Sequence, residues 1–138
     1  MAVVLFCMNA NATELNLNEY KGKVVYLDFW ASWCGPCKES FPWLNKLAKE
    51  NKDLVVIGVN LDKDKSDAEA FLKKYPADFK VVYNPKADLA EKYKVKGMPY
   101  TIIFDKEGNQ KFKHIGFSLK KADEYMREIK TLQNEVKK

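Results

Sequence analysis

Short apolar runs rich in β-branched and aromatic residues alternate along the chain with stretches in which apolar residues recur every three or four positions. The first pattern fits strands buried on both faces and the second fits helices with one apolar side. Residues 23–30 (KVVYLDFW) read as a buried central strand that runs straight into Trp33-Cys-Gly-Pro-Cys37. Cys37, Phe41, Leu44 and Leu47 then recur at helical spacing up to about Asn51, with Pro42 inside the pattern predicting a kink. Residues 54–61 form a second buried strand. A helix is predicted over 66–75, with Ser66 at its N-cap and Glu69 three residues on as a capping box. A strand over 79–83 is broken by Asn84 and Pro85, and a short helix follows over 87–93. Residues 95–100 read as a loop leading into a strand over 101–105. Glu107, Gly108 and Asn109 make a hairpin turn, and 110–117 pair back antiparallel. The last helix, from Leu119 to about Val136, turns Ala122, Tyr125, Met126, Ile129, Leu132 and Val136 toward the core.

Strands alternating with helices, closed by one hairpin and a helix, predict an α/β fold with a mixed central sheet flanked by helices. No repeat, low-complexity tract or linker divides residues 1–138, so one domain is expected. A chain of 138 residues, 46% of them apolar, buries about two-thirds of its unfolded surface, which requires neither a disulfide framework nor a structural metal. Its three cysteines are therefore free for chemistry. The longest apolar run, 2–8, has seven residues against the ~18 needed to cross a bilayer, so no membrane span is expected. The net charge of +5 comes from lysines interspersed with acids, and Arg127 is the sole arginine. With no basic block and no nucleic-acid-binding motif, a lysine-rich solvated surface is the reading, without a nucleic-acid partner.

Cys34 and Cys37 lie where a buried strand gives way to a helix, both on one helical turn and close enough to bond. At the helix start Cys34 meets unpaired N–H groups and the positive end of the helix dipole, which favour its thiolate, so Cys34 is the expected nucleophile. Cys37, one turn in, would resolve the mixed disulfide. Pro36 is tolerated in the first turn because its missing N–H would lack an intrahelical partner. A zinc site would need four ligands, and beyond this pair only Cys7 and His114 remain; a purely structural pair leaves Gly35, Pro36 and the flanking Trp33 unexplained. No metal and no cofactor is expected, because the pair itself carries two electrons.

Residues 28–37 (DFWASWCGPC) resemble the active-site segment of the thioredoxin superfamily, and Gly97-Met-Pro99 before a strand resembles its cis-proline loop. The resemblance implies a cis Met98–Pro99 bond, with the Met98 backbone and Pro99 orienting an extended substrate segment beside Trp33, Gly35 and Pro36. The stretch between Asp62 and Met98, long enough for an extra helix-strand unit, together with Lys21-Gly-Lys23, Phe41-Pro42 and residues 104–109 (FDKEGN), is similar to the TlpA/ResA-like thiol-disulfide oxidoreductases. That branch implies a thioredoxin fold with the inserted unit and an N-terminal hairpin. It also implies protein thiols and disulfides as partners, an upstream electron-donating thiol protein, and a periplasmic or otherwise extracytoplasmic location, with the cytoplasm as the alternative. The Gly-Pro dipeptide resembles that of thioredoxin and implies a reductant.

Three positions depart from the branch. Asp28 matches the buried aspartate of classical thioredoxin, where many of these proteins carry Asn, and is expected to exchange a proton with Cys37. Gly58 stands where thioredoxin has a lysine facing that aspartate, so burial should raise the Asp28 pKa. Ser40 replaces a glutamate of the ResA-like proteins, and Glu39 lies one residue early and about 100° round the helix, which bears against a cytochrome c role. Trp33 is expected at the substrate surface and Trp30 in the core. Tyr100 is read either as a specificity element or as a strand tyrosine, and His114 as a surface residue without a role. For the first twelve residues two readings stand. Residues 2–8 end a signal-peptide apolar region before small residues at 10–12, or 3–7 form an edge strand pairing with 14–17. The first is favoured; under it Cys7 is removed, and under the second Cys7 is a buried bystander.

Overall fold

A computed structural model describes residues 15–135. The chain runs through a 3-10 helix (Leu17–Tyr20), β1 (Val24–Trp30), α1 (Gly35–Glu50), β2 (Leu54–Asn60), α2 (Lys65–Lys74), β3 (Lys80–Tyr83), α3 (Asp88–Lys92), β4 (Tyr100–Phe104), β5 (Gln110–Ile115) and α4 (Leu119–Gln133). The strands form a mixed five-stranded sheet in the order β3-β2-β1-β4-β5. β1, β2 and β3 are parallel, while β4 runs antiparallel to both β1 and β5. The helix-strand insertion is α2 and β3, and it adds the outermost parallel strand.

Side chains of β1 alternate between two cores. Val24, Tyr26 and Trp30 pack with Phe41, Leu44 and Leu47 of α1, Ala68 and Phe71 of α2, and Ile129 and Leu132 of α4. Val25, Leu27 and Phe29 pack on the opposite face with Ile57, Val59, Tyr93 and Ile102, covered by Leu17 and Tyr20 of the 3-10 helix and Leu89 of α3. All seven residues of β1 are buried, which is why its sequence is a continuous apolar run with one interruption, Asp28. Trp30 anchors the first core, its ring 4.9 Å from Phe41 and 5.0 Å from Phe71. The β4–β5 turn is held by Asp105, whose Oδ1 accepts from the N–H groups of Glu107 and Asn109, both at 2.9 Å. Gly108 adopts a left-handed φ of 87° there, a conformation glycine takes at no steric cost.

Several boundaries differ from the sequence reading. The predicted capping box is not formed. α2 starts at Lys65, with Asp64 at the N-cap, so Ser66 already lies within the first turn and cannot cap it, and Glu69 pairs with Lys65 at 4.0 Å instead. The expected N-terminal hairpin is not formed where its second strand is described. Leu15 and Asn16 lie in no strand, and Asn16 caps the 3-10 helix by accepting from Asn18 N–H at 3.1 Å. The remainder of that hairpin, the signal-peptide reading of residues 1–12, Cys7 and Val136 lie outside the described residues. β5 ends at Ile115, and Phe117 leaves the sheet to stack near Trp43 at 5.5 Å.

Gly58 of β2 lies opposite Asp28 in the β1–β2 register. A Cβ at this position would stand 2.8 Å from Phe79 Cε2 and 3.0 Å from Trp30 Nε1. Two aromatic rings thus fill the space a side chain would need. Gly58→Ala is expected to cost about 1–3 kcal/mol by overpacking, read as a lower urea midpoint with an unchanged m-value; an unchanged midpoint would show that Phe79 yields freely.

Candidate active site

The C-terminal end of β1 delivers the chain into a short loop and then α1. Cys34 is the N-cap of α1, with extended backbone and no side-chain cap hydrogen bond, and Pro36 sits in the first turn. Cys34 and Cys37 are joined by a disulfide with their Cα atoms 5.4 Å apart. Cys37 is fully buried and Cys34 is 4% exposed, while Trp33 beside them is 71% exposed. Gly35 and Pro36 are also exposed, so the pair sits beneath a surface rim of Trp33, Gly35 and Pro36. Cys34 immediately precedes the first-turn N–H groups that lack an intrahelical acceptor, a setting that favours a thiolate, and that turn carries no acidic residue to oppose one.

The loop before Cys34 is tied to the end of β2 by a polar cluster that the sequence reading missed. Asp62, buried, accepts from Ser32 N–H at 2.9 Å, Ser32 Oγ at 2.7 Å and Asn60 Nδ2 at 2.8 Å, while its own N–H donates to Asn60 Oδ1 at 3.1 Å. Leu61 N–H donates to the Trp30 carbonyl at 2.9 Å and Cys34 N–H to the Ala31 carbonyl at 3.1 Å. The Asn-x-Asp spacing at 60–62 was the available signal, an Asx-type side-chain to backbone bond just past a strand. Ser40, standing in place of a glutamate, is buried and donates its hydroxyl to the Cys37 carbonyl at 3.0 Å, so it presents no charge to the sulfurs.

Asp28 shares the α1 face of the sheet with Tyr26, Trp30 and the cysteine pair, and is 1% exposed. Its Oδ1 accepts from Thr101 Oγ1 at 3.4 Å, Thr101 Oγ1 lies 3.2 Å from Tyr26 OH, and Asp28 Oδ2 has no hydrogen-bond partner among the described residues. Burial pushes the Asp28 pKa up to about 8, with the Thr101 bond opposing. Asp28 is therefore a neutral acid at pH 7, with no cation facing it from Gly58.

Pro99 is buried, Met98 packs against the core cluster that contains both cysteines, and the bond between them is cis. The Pro99 carbonyl accepts from Gly116 N–H at 2.8 Å, which ties this loop to the end of β5. Tyr100 turns to the other face of the sheet, its ring 6.3 Å from Phe29, so it is a strand tyrosine and not a residue beside the cysteines. His114 is not a free surface residue. Its Nε2 lies 2.7 and 2.9 Å from the two Glu128 carboxylate oxygens, and its ring stacks 4.2 Å from Tyr125. Among the described residues no group of three or more His, Cys, Asp or Glu side chains is placed to hold a metal, and no helix is long and apolar enough to cross a membrane.

A family model described as Redoxin matches residues 2–129. Thiol-disulfide oxidoreductase ResA of Bacillus subtilis is 32% identical over 102 residues, 72% of this chain and 57% of that relative. The chain thus spans little more than half the length of that curated relative. Among solved structures, a chain from Chlorobium tepidum described as a candidate thiol:disulfide interchange protein DsbE is 41% identical, with a TM-score of 0.83 over 86% of this chain and 85% of that one. The exposed lipoprotein thioredoxin Etrx1 of Streptococcus pneumoniae is 36% identical, with a TM-score of 0.74 over 84% of this chain and 90% of that one.

The raised pKa of Asp28 links proton binding to stability. The unfolded chain releases this proton near 3.8, whereas the folded protein holds it to about 8. Between those values the native state binds more protons than the unfolded state, so stability falls as pH rises through that window and levels off above it. Relative to Asp28→Asn, the wild type is expected to lose up to about 4 kcal/mol between pH 4 and pH 7 at about 1.4 kcal/mol per unit. Urea denaturation of both proteins across that range checks this; parallel stability curves would show that Asp28 ionises normally.

Proposed function

The chain belongs to the redoxin family, and we propose that it is a thiol-disulfide oxidoreductase that reduces protein disulfides through Cys34 and Cys37. The observation that carries this reading is the bonded cysteine pair at the N-terminus of α1, on the sheet face that also holds the neutral, buried Asp28.

The bonded pair is first reduced by an upstream dithiol donor. A donor thiolate attacks Cys34 Sγ, the Cys34–Cys37 bond breaks, and the electron pair leaves on Cys37, which takes the proton from Asp28. The donor's second thiolate then displaces Cys34 and leaves with the new donor disulfide. In the forward reaction the Cys34 thiolate attacks a substrate disulfide and releases one substrate thiolate, giving a mixed disulfide. Asp28, now a carboxylate, takes the proton back from Cys37, whose thiolate attacks Cys34 Sγ, restores the internal bond and expels the second substrate thiolate, which water protonates. Two electrons pass to the substrate, and the proton on Asp28 returns to where it began.

Trp33, Gly35 and Pro36 form the exposed rim against which an extended substrate segment lies, and Met98 and Pro99 border it from the loop after α3. Among the described residues Ser40 and Asp28 are the side chains that set this site apart from the branch pattern, so the substrate is named here by class, a protein disulfide. The pneumococcal neighbour is an exposed lipoprotein, which supports an extracytoplasmic setting for this chain.

In an insulin-reduction assay Cys34→Ser is expected to lose at least about a hundredfold in rate. Cys37→Ser is expected to accumulate mixed disulfides that dithiothreitol releases. Full activity in Cys34→Ser, or a native pair that resists mild dithiothreitol, would reassign the bond as structural. A reduction potential above about −150 mV would overturn the reductant direction.

A further inference from the structure

Tyr26, Thr101 and Asp28 stand in line on three buried side chains, 1%, 2% and 1% exposed, on the face of the sheet that holds the cysteine pair. We propose that Tyr26 and Thr101 are positioning residues that place the exchangeable proton of Asp28 on Oδ2, the oxygen left free for Cys37. The proposal rests on the oxidoreductase reading and assigns a direction to its proton.

Two directions of donation are open to these three groups, and we take the one in which Thr101 donates to the carboxyl. Tyr26 and Thr101 have one hydroxyl hydrogen each, and the neutral carboxyl has one acidic hydrogen. If Tyr26 donates to Thr101 Oγ1 and Thr101 donates to Asp28 Oδ1, both hydroxyl hydrogens have acceptors and the acidic hydrogen falls on Oδ2. In the reverse order, with Asp28 Oδ1 donating to Thr101 and Thr101 donating to Tyr26, the phenolic hydrogen is the one left over; each order leaves one hydrogen without an acceptor, and the first leaves it on Asp28 Oδ2. Tyr26 keeps its hydrogen throughout, because burial and the nearby Asp28 push its pKa well above the ordinary value.

Among the described residues the surroundings supply no competing hydrogen-bond partner for this carboxyl. β2 presents Gly58, which has no side chain, and the disulfide belongs to the core cluster on the same face. On β5, His114 is opposite Thr101 in register but is held by Glu128 of α4. Tyr125 and Glu128 of α4 act on Tyr26 at a distance, raising its pKa further. Thr101 as an obligate donor favours the carboxylate over the acid, which opposes burial. Tyr26 favours that role by occupying one of the two Thr101 lone pairs; without it, Thr101 rotates more freely to accept from the neutral acid.

The test is the titration midpoint of Asp28, followed by the 13C shift of its carboxyl in the oxidised full chain, a readout independent of activity. Thr101→Val is expected to raise the midpoint by about one pH unit. Tyr26→Phe is expected to raise it by a smaller amount, and Thr101→Ser to restore the wild-type value. In the same variants the pH profile for reduction of the pair by dithiothreitol moves with the midpoint. A folded Thr101→Val with the wild-type midpoint, or a Thr101→Ser as displaced as Thr101→Val, overturns the proposal. Should Thr101→Val not fold, Tyr26→Phe decides alone, an unmoved midpoint overturning the assignment. Loss of the oxidoreductase reading would appear instead as full insulin reduction by Cys34→Ser, which these midpoints do not register.

Discussion

The fold is organised around a strand that is buried on both faces and nevertheless contains a carboxyl. β1 joins the parallel half of the sheet to the antiparallel half, and its side chains feed both cores. An ionised carboxylate there would need a cation or several donors to offset lost hydration, and the structure gives it one long hydrogen bond. The group resolves the conflict by holding its proton. The cost of burying it is then that of a polar neutral group, and the chain gains an acid whose pKa lies close to the pH at which thiols titrate.

The same strand fixes the cysteine pair. Because β1 runs directly into α1 through a short loop, the position of Cys34 is only as well defined as that loop. The Asp62 cluster clamps it from β2, through both the backbone and the hydroxyl of Ser32. The Pro99 carbonyl bond to Gly116 does the corresponding task on the other side, holding the 97–99 loop to the end of β5. Strand ends therefore anchor both loops, and Trp33, Gly35 and Pro36 stand exposed beside the pair.

How legible each part was from sequence depends on the range of the interaction behind it. The strands and helices that bury whole faces were readable, since periodicity reports burial directly; residues 23–30 and the Cys37, Phe41, Leu44, Leu47 stripe are cases. The pair at 34–37 was readable because a strand-to-helix junction and a four-residue spacing are local. What failed was contingent on tertiary contacts or on a choice between near-equal local signals. Ser66 and Asp64 are both competent N-caps, and only the trajectory after β2 decides for Asp64. Tyr100 and Thr101 are adjacent, so a strand start uncertain by one residue exchanges which of them meets Asp28. His114 had no sequence neighbour to identify Glu128, which lies on a different element.

Gly58 shows how one absent side chain propagates. On the sequence it is a missing cation; in the fold it is also the floor beneath Trp30 and Phe79. The two roles are not independent. With the rings of Trp30 and Phe79 drawn in over the glycine, a lysine at this position would have to displace aromatic packing that includes the Trp30 contacts with Phe41 and Phe71. The aromatic cluster and a lysine side chain are thus alternative occupants of the same space. A chain that packs β2 this closely against the α1 side gives up the cation, and a buried aspartate without a cation retains its proton. The protonated carboxyl on the face of the cysteine pair is a consequence of how tightly the neighbouring core is filled.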